Sequence, residues 1–309
     1  MSLTIVMYHY VRDLRRSRYP EIKGRDTEEF RRQLGWLAAH HSVVSTAEVI
    51  AASRGEAELP PDAAWLTFDD GYLDHWTTVF PLLHERGWHG AFFPPARPVR
   101  DGALLDVNRI QFILAACADQ SVLVDRLRSA VAEHSGEDGV LAFDDYWHQL
   151  ARPSRWDPAE TIFVKRMLQR ALPERLRREV ARSLFAEFVS VDERAFCAEL
   201  YVSEDQLRTM IRSGMYVGNH TSSHPWLDSL STEEQAAEID DALGFLGGLG
   251  APTSDWVMAY PYGGYDASLL GVVAERGAAL GVTVEASVAD VSTDHPLTLP
   301  RLDTNDLSA

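Results

Sequence analysis

The residues best suited to chemistry in this 309-residue chain stand in two short segments, Thr67-Phe68-Asp69-Asp70-Gly71 and His220-Thr221-Ser222-Ser223-His224-Pro225. The first places two carboxylates after an apolar run, Ala63 to Phe68, that reads as a buried strand. The second places two imidazoles on one short segment, just after Met215-Tyr216-Val217-Gly218. One carboxylate and two imidazoles form a ligand set for Zn²⁺ that leaves coordination positions for water and substrate. Asp70, His220 and His224 are the expected ligands, with Ni²⁺, Co²⁺ or Fe²⁺ as alternatives by ligand type. Asp69 is then the expected base, taking a proton from water. Two adjacent carboxylates repel, and a divalent cation on Asp70 would relieve this. An isolated Asp-Asp-Gly marks a turn, and an isolated H-x-x-x-H is common on surfaces. Their occurrence together, each after a strand-like run, carries the reading.

With a third segment, Tyr260-Pro261-Tyr262-Gly263, and an opening Val6-Met7-Tyr8-His9, the chain resembles the polysaccharide deacetylase family, carbohydrate esterase family four. Its T-F-D-D-G and H-[ST]-x-x-H-P motifs stand here without a mismatch, and its P-Y-G core lies at 261–263. The likeness spans residues 1–100 and about 200–309. It implies a distorted (β/α) barrel of about seven strands and hydrolysis of an N-acyl group on an amino sugar. It also implies that the Tyr262 backbone N–H stabilises the oxyanion, with Pro261 and Gly263 holding the turn. Tyr8, Trp226, Leu227, Pro261 and Gly263 are expected beside the substrate.

Two departures from the family pattern matter. The arginine that usually opens the third motif is replaced by Ala259. Arg301, after a late strand-like run, is the candidate replacement, and a surface arginine is the alternative. The family's late L-x-H motif, source of the general acid, is missing. His9, as in members with an M-Y-H start, and His295, in a polar turn, are the two candidates.

Alternating elements must position these residues. Strand-like runs at Leu3–Tyr8, His41–Ser45, Ala64–Phe68, Gly90–Phe93, Tyr216–Gly218, Trp256–Tyr260, Ala279–Glu285 and Leu297–Leu302 alternate with helical patterns. Those helices open on Asp26-Thr27-Glu28-Glu29, Ser203-Glu204-Asp205-Gln206 and Ser231-Thr232-Glu233-Glu234, which read as capping boxes. A helix is also expected over Trp76–Arg86. Alternation predicts an α/β fold with a parallel sheet. The chemical motifs follow strand ends, where a parallel barrel builds its site. Residues 101–200 read instead as an inserted helical subdomain, a lid or a dimer surface, with the barrel formed by 1–100 and 201–309. Expected helices there are Val107–Ala118, Val122–His134, Thr161–Ala171 and Glu174–Val189, with a polar break at Arg152–Pro158. A basic cluster, Lys165, Arg166, Arg170, Arg175, Arg177, Arg178 and Arg182, is a solvated face or a phosphate holder.

A formal net charge of −17 disfavours nucleic acid and anionic membrane surfaces. No P-loop or dinucleotide fingerprint is present. Cys117 and Cys197 read as buried thiols of a reducing compartment. No signal peptide or membrane-spanning run is read, so a cytoplasmic location is expected. The expected partners are an N-acylated sugar, a nucleotide sugar or a lipid-linked glycan, and a homodimer is compatible. Deformylation, deacetylation of a natural-product glycoside and non-catalytic carbohydrate binding are the competing readings.

Overall fold

The computed structural model describes residues 1–154 and 157–307. It divides into two units. One contains Met1–Asp13, Gly24–Ala103 and Cys197–Ala309, the other Leu14–Lys23 and Leu104–Phe196.

The first unit is built on parallel strands. They are β1 (Ser2–Tyr8), β2 (Ala63–Asp69), β3 (Ala91–Phe93), β4 (Tyr216–Val217), β5 (Trp256–Ala259), β6 (Ala278–Val282) and β7 (Leu302–Asp303). β1 pairs with β2, β2 with β3, and β3 with β4. A parallel bridge from Asn219 to Met258 carries the ring on to β5, which pairs with β6. A second bridge, Val282 to Leu299, leads to β7, which pairs with β1 and closes the circle. This is the distorted (β/α) barrel expected. Short Ala289–Asp290 runs antiparallel along β1, and Ser42–Val43 runs along the start of β2.

The period of two along each strand sorts side chains between two cores. Val6, Tyr8, Leu66, Phe68 and Phe92 pack outward with the helices, alongside Phe30, Leu34 and Leu37. Leu3, Ile5, Trp65, Phe93, Val257, Ala259, Leu280 and Val282 meet from different strands in one cluster, the barrel interior. Thr67 and Asp69 continue the interior face of β2 beyond Trp65. Burial on both faces explains why β2 reads as an unbroken apolar run rather than an alternation.

Capping boxes open the helices Glu204–Arg212 and Thr232–Leu249, as their sequences require. Asp26 caps Thr27–His40 through the Glu28 N–H, while Glu29 pairs with Arg25 instead of returning to the cap. The segment expected as one helix over Trp76–Arg86 starts as a π turn, His75–Val79, and continues as Phe80–His84. Pro81 has no N–H to donate to the preceding turn. The last strand is Leu302–Asp303 rather than Leu297–Leu302, because Pro296–Thr298 forms a 3₁₀ turn.

The second unit is helical: Asp106–Ala116, Gln120–Glu133, Phe143–Leu150, Ala159–Arg166 extended by a π turn, and Glu174–Phe188. It also takes in Leu14–Lys23, which lies in the sequence long before the other helices. Arg109 is buried between Asp106 and Glu193. Three members of the basic cluster are matched by acids: Lys165 by Asp157, Arg175 by Glu137 and Glu179, and Arg178 by Glu174. The expected polar break at Arg152–Pro158 lies partly outside the described residues. No helix among the described residues is long and apolar enough to cross a membrane.

Candidate functional site

Asp69 ends β2 and Asp70 follows it, His220 and His224 follow β4, and Pro261–Gly263 follows β5. Parallel strands bring these C-terminal ends to one mouth of the barrel. The chain must turn sharply at each. Asp70, Thr221, His224 and Tyr262 all have left-handed φ, between 58° and 73°. Such clustering of strained non-glycine residues is a mark of a functional site. Gly71 and Gly263 are also left-handed, and a Cβ on Gly263 would meet Val284 at 2.3 Å.

Asp70 divides its carboxylate between two tasks. Its Oδ2 accepts a hydrogen bond from the Tyr72 hydroxyl at 2.6 Å. Its Oδ1 has no hydrogen-bond donor among the described residues and faces Nε2 of both His220 and His224 at 3.3 Å. The Nδ1–H of His220 donates to the Ala259 carbonyl at 2.6 Å, which turns the Nε2 lone pair toward Asp70. Atoms held tetrahedrally by Zn²⁺ at about 2.0–2.1 Å sit roughly 3.3–3.4 Å from one another. The three residues therefore fit a metal ion, and all are buried.

Burial opposes the charge on Asp70, but the imidazoles of His220, His224 and His9 outweigh it and hold the carboxyl far below its ordinary range. Burial also opposes a proton on each imidazole. Asp70 and Asp69 overcome this at His220, whose proton affinity rises, but not at His224, which is pushed down to about 4.

Asp69 meets Arg301 in a two-pronged ion pair. The guanidinium Nη1 and Nη2 donate to the two carboxylate oxygens at 2.9 and 2.7 Å. Nη1 also donates to Thr67 Oγ1, and Nε to the Thr283 carbonyl. The side chain of Arg301 is 0% exposed. Burial raises the proton affinity of Asp69, and Arg301 with His220 more than reverses this, so the carboxyl lies below its ordinary range. The position of the missing motif arginine, Ala259, is closed within the barrel.

His9 is half-buried and acts electrostatically on Asp69, Asp70 and His224. His295 is exposed and caps a 3₁₀ turn through Nδ1, which accepts from the Leu297 N–H. The Tyr262 ring stacks on Trp226 at 4.2 Å and lies edge-on to His224 at 4.7 Å. Three residues expected beside the substrate are buried. Tyr8 packs between Phe30 and Phe68 in the helix-facing core and is 0% exposed. Leu227 is equally buried, among Ile239, Trp256 and Leu269. Pro261 is buried in its turn.

Tyr72 and Asn219, both at the site, escaped the sequence reading. Tyr72 lies just past the first motif, and a tyrosine after Asp-Asp-Gly could have signalled a carboxylate partner. Asn219 accepts from the Thr221 N–H and donates to the Ile239 carbonyl, bracing the second motif. His75 is buried, and its Nε2–H donates to the His9 carbonyl at 2.9 Å. Desolvation pushes His75 down to about 4. The folded chain therefore resists a proton that the unfolded chain accepts near pH 6.5. Stability contributed by neutral His75 is complete above pH 6.5 and is lost as pH falls toward 4. The loss amounts to about 3 kcal/mol across that window. Melting curves at pH 7.5, 5.5 and 4.5 are expected to fall more steeply for the wild type than for His75→Gln.

A parallel barrel with a buried Asp-His-His constellation at its mouth defines the class of protein. Residues 56–120 and 161–281, more than half of the chain, match the family model described as Polysaccharide deacetylase, and the chain belongs to that family. Over 69 residues it is 41% identical to the poly-beta-1,6-N-acetyl-D-glucosamine N-deacetylase of Escherichia coli K12. That match takes in 22% of this chain and only 10% of the relative. Among solved structures, the Streptococcus pyogenes deacetylase PplD in complex with acetate superposes with a TM-score of 0.59 at 17% identity, over 98% of this chain and 92% of that one. IcaB from Ammonifex degensii gives 0.56 at 19% identity, over 99% and 93%. These likenesses concern the fold.

Proposed function

We propose that this protein is a metal-dependent hydrolase that removes the N-acetyl group from an amino sugar within a glycan or glycan precursor. The observation that carries the reading is the Arg301-held Asp69 beside the Asp70–His220–His224 set. Asp70, His220 and His224 would hold one divalent cation, Zn²⁺ by ligand chemistry, with Ni²⁺, Co²⁺ and Fe²⁺ as alternatives. Such a cation supplies Lewis acidity toward the amide carbonyl and lowers the pKa of a water. Asp69, kept ionised by Arg301, accepts the proton from the attacking water. The oxygen of that water bonds to the carbonyl carbon. The Tyr262 N–H is assigned to the developing oxyanion, and its ring with Trp226 to the wall beside the acyl group. His9 gives a proton to the nitrogen as the C–N bond breaks, leaving a free amine and acetate. His9 is preferred to His295 because only His9 lies within electrostatic reach of both aspartates.

The Escherichia coli relative makes β-1,6-linked N-acetylglucosamine the first substrate class to test, ahead of nucleotide sugars and lipid-linked glycans. A cytoplasmic location belongs to the same proposal. Cell fractionation tests it. A homodimer is tested by light scattering.

Acetate release from oligomers of β-1,6-N-acetylglucosamine is the deciding assay for function. It is run on chelated protein before and after Zn²⁺, Co²⁺ or Ni²⁺. Release restored by metal supports the proposal. Bound stoichiometric metal without release from any N-acetylated sugar would redirect it to another acyl group, formyl first. Failure of chelated protein to rebind metal would favour non-catalytic carbohydrate binding.

A further inference from the structure

The loop that carries His220 and His224 is held in a strained shape, partly by its own hydrogen bonds, such as His224 N–H to Thr221 Oγ1, and partly by groups from outside the loop. Thr221 and His224 adopt left-handed φ of 64° and 58°, conformations that non-glycine residues leave unless held. The Thr221 and Ser222 carbonyls accept from the backbone N–H groups of Ala96 and Arg97. On the opposite side, one carboxylate gathers three donors. Glu238, on the helix Thr232–Leu249, accepts from the Ser222 N–H at 3.0 Å and the Ser223 N–H at 2.8 Å through Oε2. Its Oε1 accepts from the Ser223 hydroxyl at 2.6 Å. Two successive N–H groups turned toward one anion form the kind of concave backbone surface that favours negative charge.

We propose that Glu238 is a positioning residue for the metal site. Its carboxylate holds the Ser222–Ser223 backbone so that the imidazoles before and after it converge on Asp70 Oδ1. The inference rests on the metal-binding reading above and adds that the ligand geometry is imposed by a carboxylate that touches no ligand side chain. Removing Glu238 frees two N–H groups, and the strained residues beside them relax. The two Nε2 atoms then lose their common focus.

Cobalt binding tests this without any substrate. Chelated wild type, Glu238→Ala and Glu238→Gln are titrated with Co²⁺ against a competing chelator, and the visible d–d band of the bound ion is recorded. Alanine suits a helix interior, so the helix persists in Glu238→Ala. That variant is expected to bind Co²⁺ about 10–100-fold more weakly, with an altered band. Glutamine keeps an acceptor for both N–H groups and should recover most of the affinity. Glu234→Ala removes a carboxylate from the same helix that only serves its cap, and its Co²⁺ affinity should match the wild type. Wild-type affinity and band shape in Glu238→Ala would overturn the proposal, even if its melting temperature fell. A wild type that binds no Co²⁺ would overturn the metal reading itself, an outcome recognisable without the variants.

Discussion

Asp69→Asn is expected to lower kcat for acetate release by about 10²–10⁴-fold, the usual contribution of a positioned base. The amide cannot take the proton from water at neutral pH. Asparagine has nearly the shape of aspartate and stays within reach of Arg301, so Co²⁺ affinity at Asp70, His220 and His224 should change little. Steady-state kinetics on metal-saturated protein, set beside a Co²⁺ titration, separate the two effects. Unchanged kcat would remove Asp69 from the chemistry. A joint loss of turnover and metal would mean that Asp69 acts through the metal site. Some loss of stability will accompany the change, because Arg301 then keeps its charge in the barrel without a counter-ion.

Arg301→Met is expected to destabilise the fold by about 3–5 kcal/mol, since it strands the buried charge of Asp69. In a chain of this size that lowers the melting temperature by about 5–8 °C. The double variant Asp69→Asn/Arg301→Met should be less destabilised than the sum of the single changes, because neither charge remains to be stranded. Arg301→Lys keeps the charge but loses the fork that spans both carboxylate oxygens. It should fold better than the methionine variant yet show reduced kcat, since a point charge does not fix the plane of the Asp69 carboxylate. Additive destabilisation in the double variant would show that the ion pair is not what each single change disturbs.

These experiments bear on the departure from the usual family pattern. Its third motif normally supplies an arginine two positions before the proline, and here Ala259 stands there. The guanidinium instead arrives from a residue 232 positions beyond Asp69 in sequence. Ala259 is not idle in this arrangement. Its carbonyl accepts the His220 Nδ1–H, and its N–H donates to the Asn219 carbonyl.

Sequence by itself determined what depends on neighbours along the chain. The paired aspartates after a buried strand, the two histidines on one short segment and the Pro-Tyr-Gly run are all visible in local residue order. Capping serines at Ser203 and Ser231 were legible for the same reason, since each helix start is closed by residues three positions apart. Tertiary structure alone decided which way residues face and which distant groups meet. Tyr8 shows the first limit: in the strand Ser2–Tyr8 both faces are covered by apolar partners, so the pattern does not reveal that Tyr8 turns toward the helices. Arg301 shows the second, because its pairing with Asp69 exists only once the ring of strands closes through β7 onto β1. Leu14–Lys23 joining the helical unit and Glu238 gathering the N–H groups of the histidine loop are of the same kind. Burial makes such contacts strong by removing water's competition for them, and burial is a property of the folded chain that residue order does not display.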